Sequence, residues 1–286
     1  MKLRNLMACT LACMMLTAMV SCNNDDRVDG PVQTESTSDG RPMGFVDQSW
    51  SPGALLYTGL LSPVDTNMMY GELQKIAAFW GQPAPVMRFV NDPSDPSAKA
   101  NINARSYQQG YIYYGFPLYY KAKSEAGDIA NIGILVHEYG HQLQFKFNLS
   151  AEATSQREKE LEADGFSGYY LGNNRANFQQ VAAITNFIFQ FGDAQPNMPD
   201  SHGTGAQRRS AIRLGYILGQ NPAKLSAQQF DRYFFYYYNG VLSGTYRNTS
   251  DFTPDPSIDR HVGGYLDELH KIRTGEISEK EYLLLK

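Results

Sequence analysis

The segment Asp128–Phe147 constrains the fold of this 286-residue chain most, because it joins a helical apolar pattern to two histidines one turn apart. We expect Asp128 to cap the N-terminus of a helix here. Large apolar residues recur at helical spacing and predict one buried face: Ile129, Ile132, Leu135, Val136, Leu143 and Phe147. The segment therefore predicts a long amphipathic helix.

The histidines His137 and His141 stand at positions i and i+4 of this helix. Their imidazoles lie about 40° apart around the helix axis, so they can converge on one metal ion with Glu138 beside it. Zinc suits such imidazole and carboxylate ligands and keeps a further position for water. Glu138 is then the candidate general base, which would take a proton from that water and pass it to a leaving amine. The alternative is two surface or packing histidines.

A second acidic motif follows on the next predicted helix, at 151–171, where Glu160-Leu161-Glu162-Ala163-Asp164 begins nineteen residues after His141. With the paired histidines, it resembles the gluzincin metallopeptidases. The resemblance is closest to the bacterial neutral zinc metallopeptidases and the CAAX-protease-like branch. It implies a zincin-like fold and one Zn²⁺ per chain, with Glu160 as third ligand and Asp164 bonded to the far nitrogen of a ligating histidine. The spacing is consistent with this, since Glu160 and Asp164 are also i and i+4.

Other interpretations of this segment stay open. Glu158 is a rival ligand, although it lacks the trailing Ala-Asp, and the whole segment could be an ordinary charged helix face. Glu162 projects about 200° away from Glu160, so we expect it to be solvated. Gly165 and Gly168 predict a close approach between this helix and the histidine helix.

A further block resembles the same families, at 201–208, ahead of a helical pattern over 205–218. The resemblance implies that His202 binds the oxyanion of the tetrahedral intermediate, and that Arg208 orders the site or helps to bind substrate. The alternative is that Ser201 caps a helix and His202 lies on the surface. Arg209 is adjacent, so the choice of Arg208 rests on spacing.

The remaining pattern predicts an α+β fold, mainly helical, with a small mixed sheet beside the histidine helix. We expect helices over 55–80 and 177–191, and an edge strand at 86–90. A β-prone run spans 110–115. With Asn103 and Ala104, it resembles the zincin edge strand that pairs with an extended peptide substrate, although an ordinary core strand fits equally well.

The N-terminal residues predict export. Lys2 and Arg4 precede an apolar stretch at 6–20 that ends at Cys22, as in a lipoprotein signal peptide over 1–21. The composition of residues 22–48 predicts a flexible tether after a lipidated Cys22. We expect residues 49–286 to form the zinc metallopeptidase domain. The acidic 23–26 resembles the surface-export signal of Bacteroidetes lipoproteins. We therefore expect a bacterial outer-membrane lipoprotein, periplasmic or exposed at the cell surface. An ordinary secretory signal with a chance cysteine is the alternative.

Charge and aromatic residues narrow the choice of partners. The chain has 25 basic and 29 acidic side chains, a net charge of −4, which argues against a nucleic-acid partner held by a basic face. The Tyr-rich segment 233–238 favours a buried helix or strand over a glycan- or membrane-facing surface. His261 and His270 lack partners at metal spacing and are expected to be structural.

These observations predict a zinc-dependent endopeptidase, lipid-anchored to a membrane and acting on a peptide or protein substrate. The alternative is a zinc-bound envelope lipoprotein that binds proteins or peptides without cleaving them, because a scaffold can keep a metal for stability alone. A glycan-binding surface lipoprotein is a third hypothesis, resting on the lipid anchor and the tyrosines.

Overall fold

The computed structural model describes residues 49–149, 155–174, 177–189, 203–243 and 252–286. The predicted signal peptide, the lipidation site Cys22, the tether and His202 lie outside the described residues. Within those ranges, no helix combines the length and the apolar character that crossing a membrane requires.

The described residues form a mainly helical α+β fold, as predicted. In chain order the elements are β1 (Leu55–Tyr57), α1 (Pro63–Trp80), β2 (Val86–Asn91), β3 (Ala104–Tyr107), β4 (Tyr111–Gly115), α2 (Phe116–Ala126), α3 (Asp128–Phe147), α4 (Gln156–Asn173), α5 (Phe178–Phe189), α6 (Gly205–Gln220), α7 (Ala227–Ser243), α8 (Pro256–Gly263), α9 (Leu266–Thr274) and α10 (Glu279–Tyr282).

The four strands form one mixed sheet in the order β1-β2-β4-β3. Strands β2 and β4 are parallel, and the other neighbours are antiparallel. The predicted edge strand at 86–90 is therefore internal, and so is the run at 110–115. The edge nearest the histidine helix is β3, which among the described strands pairs with β4 alone. Its Ser106 Oγ donates to the main-chain oxygen of Glu138 at 2.5 Å.

The predicted helix over 55–80 is also corrected. Residues 55–57 form β1, whose Leu56 pairs with Val90, and the helix begins only at Pro63. Ser62 caps that helix by accepting from the main-chain nitrogen of Asp65. Three residues are too few for a two-residue period to be recognised beside a strong helical pattern.

Helix α3 has the predicted bounds, but Asp128 is its first residue and not its cap. Gly127 precedes it with φ of 77°, a positive value that glycine adopts readily. Ile129, Ile132 and Phe147 are half-buried, whereas every residue from 133 to 141 is buried. The centre of α3 is thus enclosed on all sides, beyond the single face that its apolar pattern predicts.

Helices α4 and α6 meet backbone to backbone. A Cβ atom added to Gly168 would lie 2.0 Å from the carbonyl oxygen of Ile212, and one added to Gly215 would lie 2.0 Å from that of Gly165. We call the four glycines Gly168, Gly172, Gly215 and Gly219 the glycine seam. The close approach predicted from Gly168 therefore joins α4 to α6 and not to α3, whereas a Cβ atom on Gly165 would lie 2.5 Å from the ring of Phe234 on α7.

Helix α3 reaches α4 through a different glycine. A Cβ atom on Gly140 would lie 3.2 Å from the Cα atom of Ala163. This contact brings the histidine helix against the acidic motif. Helix α4 is consequently packed between α3 and α6, with α7 also against it near Gly165.

The Tyr-rich segment 233–238 lies in α7 and is buried, so the predicted core role is confirmed. The Tyr237 hydroxyl donates to Asp259 at 3.0 Å, and the Tyr233 hydroxyl accepts from the main-chain nitrogen of Asp255. His261 has a structural partner, because its Nε2 lies 3.0 Å from the carbonyl oxygen of Ile217 on α6. These contacts hold the C-terminal helices against α6 and α7.

Candidate metal centre

Three buried donor atoms converge where α3 meets α4. The Nε2 atoms of His137 and His141 are 3.3 Å apart, and Oε2 of Glu160 lies 3.4 Å from the first and 3.5 Å from the second. None of the three residues is more than 3% exposed. The group could hold a metal ion, as the sequence predicted.

The ring of His137 is oriented by a buried ion pair. Its Nδ1 lies 2.9 Å from Oδ1 of Asp164, and Arg208 donates to both oxygens of that carboxylate at 2.7 and 2.8 Å. Burial opposes the charge on Asp164, but Arg208 and His137 outweigh it and lower the pKa of the carboxyl group. A charged Asp164 accepts from Nδ1 of His137, which leaves the Nε2 lone pair facing the cluster.

The ring of His141 has a different partner. Its Nδ1 lies 2.8 Å from Oε1 of Gln144, one turn further along α3. The amide nitrogen of Gln144 donates to Oε2 of Glu162 and to the carbonyl oxygen of Lys159, each at 2.9 Å. The expectation that Glu162 is solvated is therefore wrong. It is fully buried, because α4 is covered on several faces and not on one.

The third donor is held from its own helix. Gln156 donates to Oε1 of Glu160 at 2.8 Å, and Oε2 is the oxygen that faces the histidines. Two imidazole lone pairs and a carboxylate oxygen thus point at one another, an arrangement that repels unless a cation lies among them. Burial alone would lower the pKa of His137, but hydrogen bonds to Asp164 and Glu160 raise it to about 10. When no ion is bound, a proton on Nε2 of His137 would therefore supply the positive charge.

Glu138 lies beside this cluster with a buried carboxyl group. Neither of its carboxylate oxygens has a hydrogen bond of good geometry among the described residues, since the hydroxyl of the nearby Ser106 donates to the main-chain oxygen of Glu138. Burial raises the pKa of this carboxyl group, and the neighbouring His137 and His141 offset part of that rise. Leaving a buried carboxylate without donors costs free energy, so such a group is uncommon unless a bound species completes it.

The structure brings together most of the residues that the sequence singled out: His137, Glu138, His141, Glu160, Asp164 and Arg208. Glu158 is not among them, because its side chain accepts from the main-chain nitrogen of Ser155 in a capping box at the start of α4. Gln144 and Glu162 were missed as site residues. Gln144 could have been found, since it stands three residues after His141 and so shares its helix face.

Comparison with known proteins adds no relative: no family model, curated protein or solved structure matches the chain.

Proposed function

We propose that the chain is a zinc-dependent endopeptidase of gluzincin type. The observation that carries this proposal is the carboxyl group of Glu138, buried beside the three converging donor atoms and without a hydrogen bond of good geometry among the described residues. A metal site that served stability alone would gain nothing from such a group. A peptidase needs it as the base that receives a proton from the attacking water.

The donor set supports zinc as the metal, one ion per chain. Two imidazole nitrogens and one carboxylate oxygen are a common catalytic zinc set, which keeps a further position open. Bonds of about 2.0–2.1 Å in a tetrahedron place neighbouring donors about 3.3–3.4 Å apart. The three separations here are 3.3, 3.4 and 3.5 Å, which supports zinc as an ion that the three residues would hold together. When bound, Zn²⁺ polarises the scissile carbonyl and acidifies the attacking water.

The protein's own residues do the remaining work. Glu138, whose pKa is raised by burial, takes the proton from the water and delivers it to the leaving amine. Asp164 and Arg208 keep His137 in the orientation the ion requires, so we assign Arg208 to ordering the site. By the family resemblance, His202 binds the oxyanion.

Strand β3 is the edge at which we expect an extended peptide substrate to pair. It replaces the run at 110–115 in that role, because β4 has neighbours on both sides. The contact from Ser106 to the Glu138 main chain supports the assignment, since it sets this edge directly beside the candidate base. We further propose that a lipid on Cys22 anchors the domain to a bacterial outer membrane, in the periplasm or at the cell surface.

The test compares full-length protein in detergent with Glu138→Gln, His141→Ala and the control Glu158→Gln. Zinc content and hydrolysis of unfolded casein are measured on the same samples. Wild type and Glu158→Gln should hold one zinc and cleave casein, and His141→Ala should lose both properties. Glu138→Gln should keep zinc but lose cleavage by about 10²-fold or more, the usual contribution of a general base.

Two outcomes contradict the proposal. Turnover retained in Glu138→Gln would refute the assigned base. Zinc bound by the wild type without cleavage of casein would favour the alternative, an envelope lipoprotein that binds proteins or peptides and does not cleave them.

A further inference from the structure

A hydrogen-bonded chain separate from Asp164 and Arg208 ends on His141. It runs from Glu162 on α4 through the amide of Gln144 to Nδ1 of the histidine, with distances of 2.9 and 2.8 Å. All three residues are buried: Glu162 has no exposed surface, and Gln144 is 6% exposed. The carboxylate does not touch the histidine, so any influence it has must pass through the amide.

The amide of Gln144 can point only one way. Its nitrogen faces two groups that accept hydrogen bonds, the Glu162 carboxylate and the Lys159 carbonyl. Reversing the amide would set its oxygen against both acceptors and lose two hydrogen bonds. The oxygen must therefore face His141, and Nδ1 of that ring must carry the hydrogen.

We propose that Gln144 is a positioning residue, set by Glu162, that fixes the tautomer and orientation of His141 so that its Nε2 lone pair faces the metal. This inference rests on the proposed function. The two histidines are thus held differently: His137 bonds to a carboxylate directly, whereas His141 is separated from its carboxylate by one neutral amide. Removing a partner of this kind lowers metal affinity about 10–100-fold.

The experiment exchanges the two polar groups. Gln144→Leu removes the acceptor for His141 and should weaken zinc binding about 10–100-fold. Gln144→Glu alone sets two carboxylates against each other and should also bind zinc more weakly. Glu162→Gln alone keeps an amide oxygen that can accept from Gln144, and the carbonyl oxygen of Lys159 still accepts as well, so this variant should weaken zinc binding least. The double variant Gln144→Glu/Glu162→Gln restores an acceptor for His141 and a donor behind it. Its zinc affinity should exceed that of Gln144→Glu but stay below that of the wild type, because the carbonyl oxygen of Lys159 loses its donor in both variants.

Zinc dissociation constants are measured on the full chain by competition with a chromophoric chelator. The visible spectrum of Co²⁺-substituted protein reports ligand geometry. The matched control is Gln142→Leu, from the same helix, whose amide donates to the carbonyl oxygens of Tyr107 and Tyr111 and not to a histidine. It should lower thermal stability while leaving zinc affinity and the Co²⁺ spectrum unchanged.

Unchanged zinc affinity in Gln144→Leu, or a double variant as weak as the sum of its single changes, would overturn the positioning role. If Gln144→Leu does not fold, the comparison of Gln144→Glu with the double variant decides by itself. A wild type that binds no zinc would remove the proposed function as well. If the wild type binds zinc and cleaves casein while the Gln144 variants keep its zinc affinity, this inference is refuted and the proposed function is not.

Discussion

Zinc binding should release about one proton from the metal-free protein at pH 7.5. The Nε2 atom of His137 must lose its proton before it can bind the ion. Because the pKa of His137 is raised to about 10, nearly every metal-free molecule carries that proton at pH 7.5. A histidine with an ordinary pKa of about 6.5 would release only about 0.1 proton at this pH.

The same shift predicts how zinc affinity depends on pH. Between pH 7 and 9, each unit should strengthen apparent binding about tenfold, or about 1.4 kcal/mol, since one proton competes with one ion. The assay is calorimetric titration of zinc into metal-free protein in three buffers that differ in their enthalpy of ionisation. The slope of the observed enthalpy against the buffer enthalpy gives the number of protons released.

The Asp164→Asn variant separates the cause from the observation. The Asp164 carboxylate raises the pKa of His137 through a hydrogen bond at 2.9 Å, so replacing it with a neutral amide should reduce proton release. A slope near zero in the wild type would show that the site does not hold a proton in place of the metal. A slope that Asp164→Asn leaves unchanged would show that the proton belongs to another group.

The glycine seam and the metal-free protein give two further predictions. Gly215→Ala should lower the free energy of unfolding by about 3 kcal/mol or more, because its Cβ would lie 2.0 Å from a backbone oxygen. The control Gly71→Ala, in helix α1 with nothing within 4 Å, should raise it by about 0.5–1 kcal/mol; equal effects in chemical denaturation would contradict the seam. The raised pKa of His137 adds stability that is full below about pH 6.5 and is lost as pH rises toward 10. Urea denaturation with chelator present should therefore show a loss of about 3 kcal/mol between pH 6.5 and 9, and a loss that persists in His137→Ala would assign it to another group.

The sequence predicted the residues of the candidate metal centre well because their geometry is local. His137 and His141 share one helix face by spacing alone, and the resemblance added Glu160 and Asp164 at the same spacing on the next helix. The predicted partnership of Arg208 with this site is also found, as a bidentate pair with Asp164. The spacing of residues along a helix does not depend on how the helix packs, so side chains that share a helix face could be predicted from the sequence alone.

What the sequence did not reveal depends on packing between distant elements. Glu162 was expected in water because it points away from Glu160, but that argument assumes that α4 has an exposed side, and it has none there. The edge of the sheet was misassigned for a similar reason, because β1 is only three residues long and yet covers β2. Gly165 and Gly168 predicted a close contact between helices but not which helix makes it, since a glycine pattern carries no information about the neighbouring element.

The glycine seam also determines which parts of the molecule can move to admit a substrate. Two packed helices normally slide past each other because their side chains can change rotamer. Helices α4 and α6 touch through their backbones, so they cannot slide in this way. Glu160, Asp164 and Arg208 therefore travel as one rigid block. Any hinge between that block and α3 would pull the three donor atoms apart. Opening must come from the elements around this block, and the cluster of donor atoms should keep one shape throughout the proposed catalytic cycle.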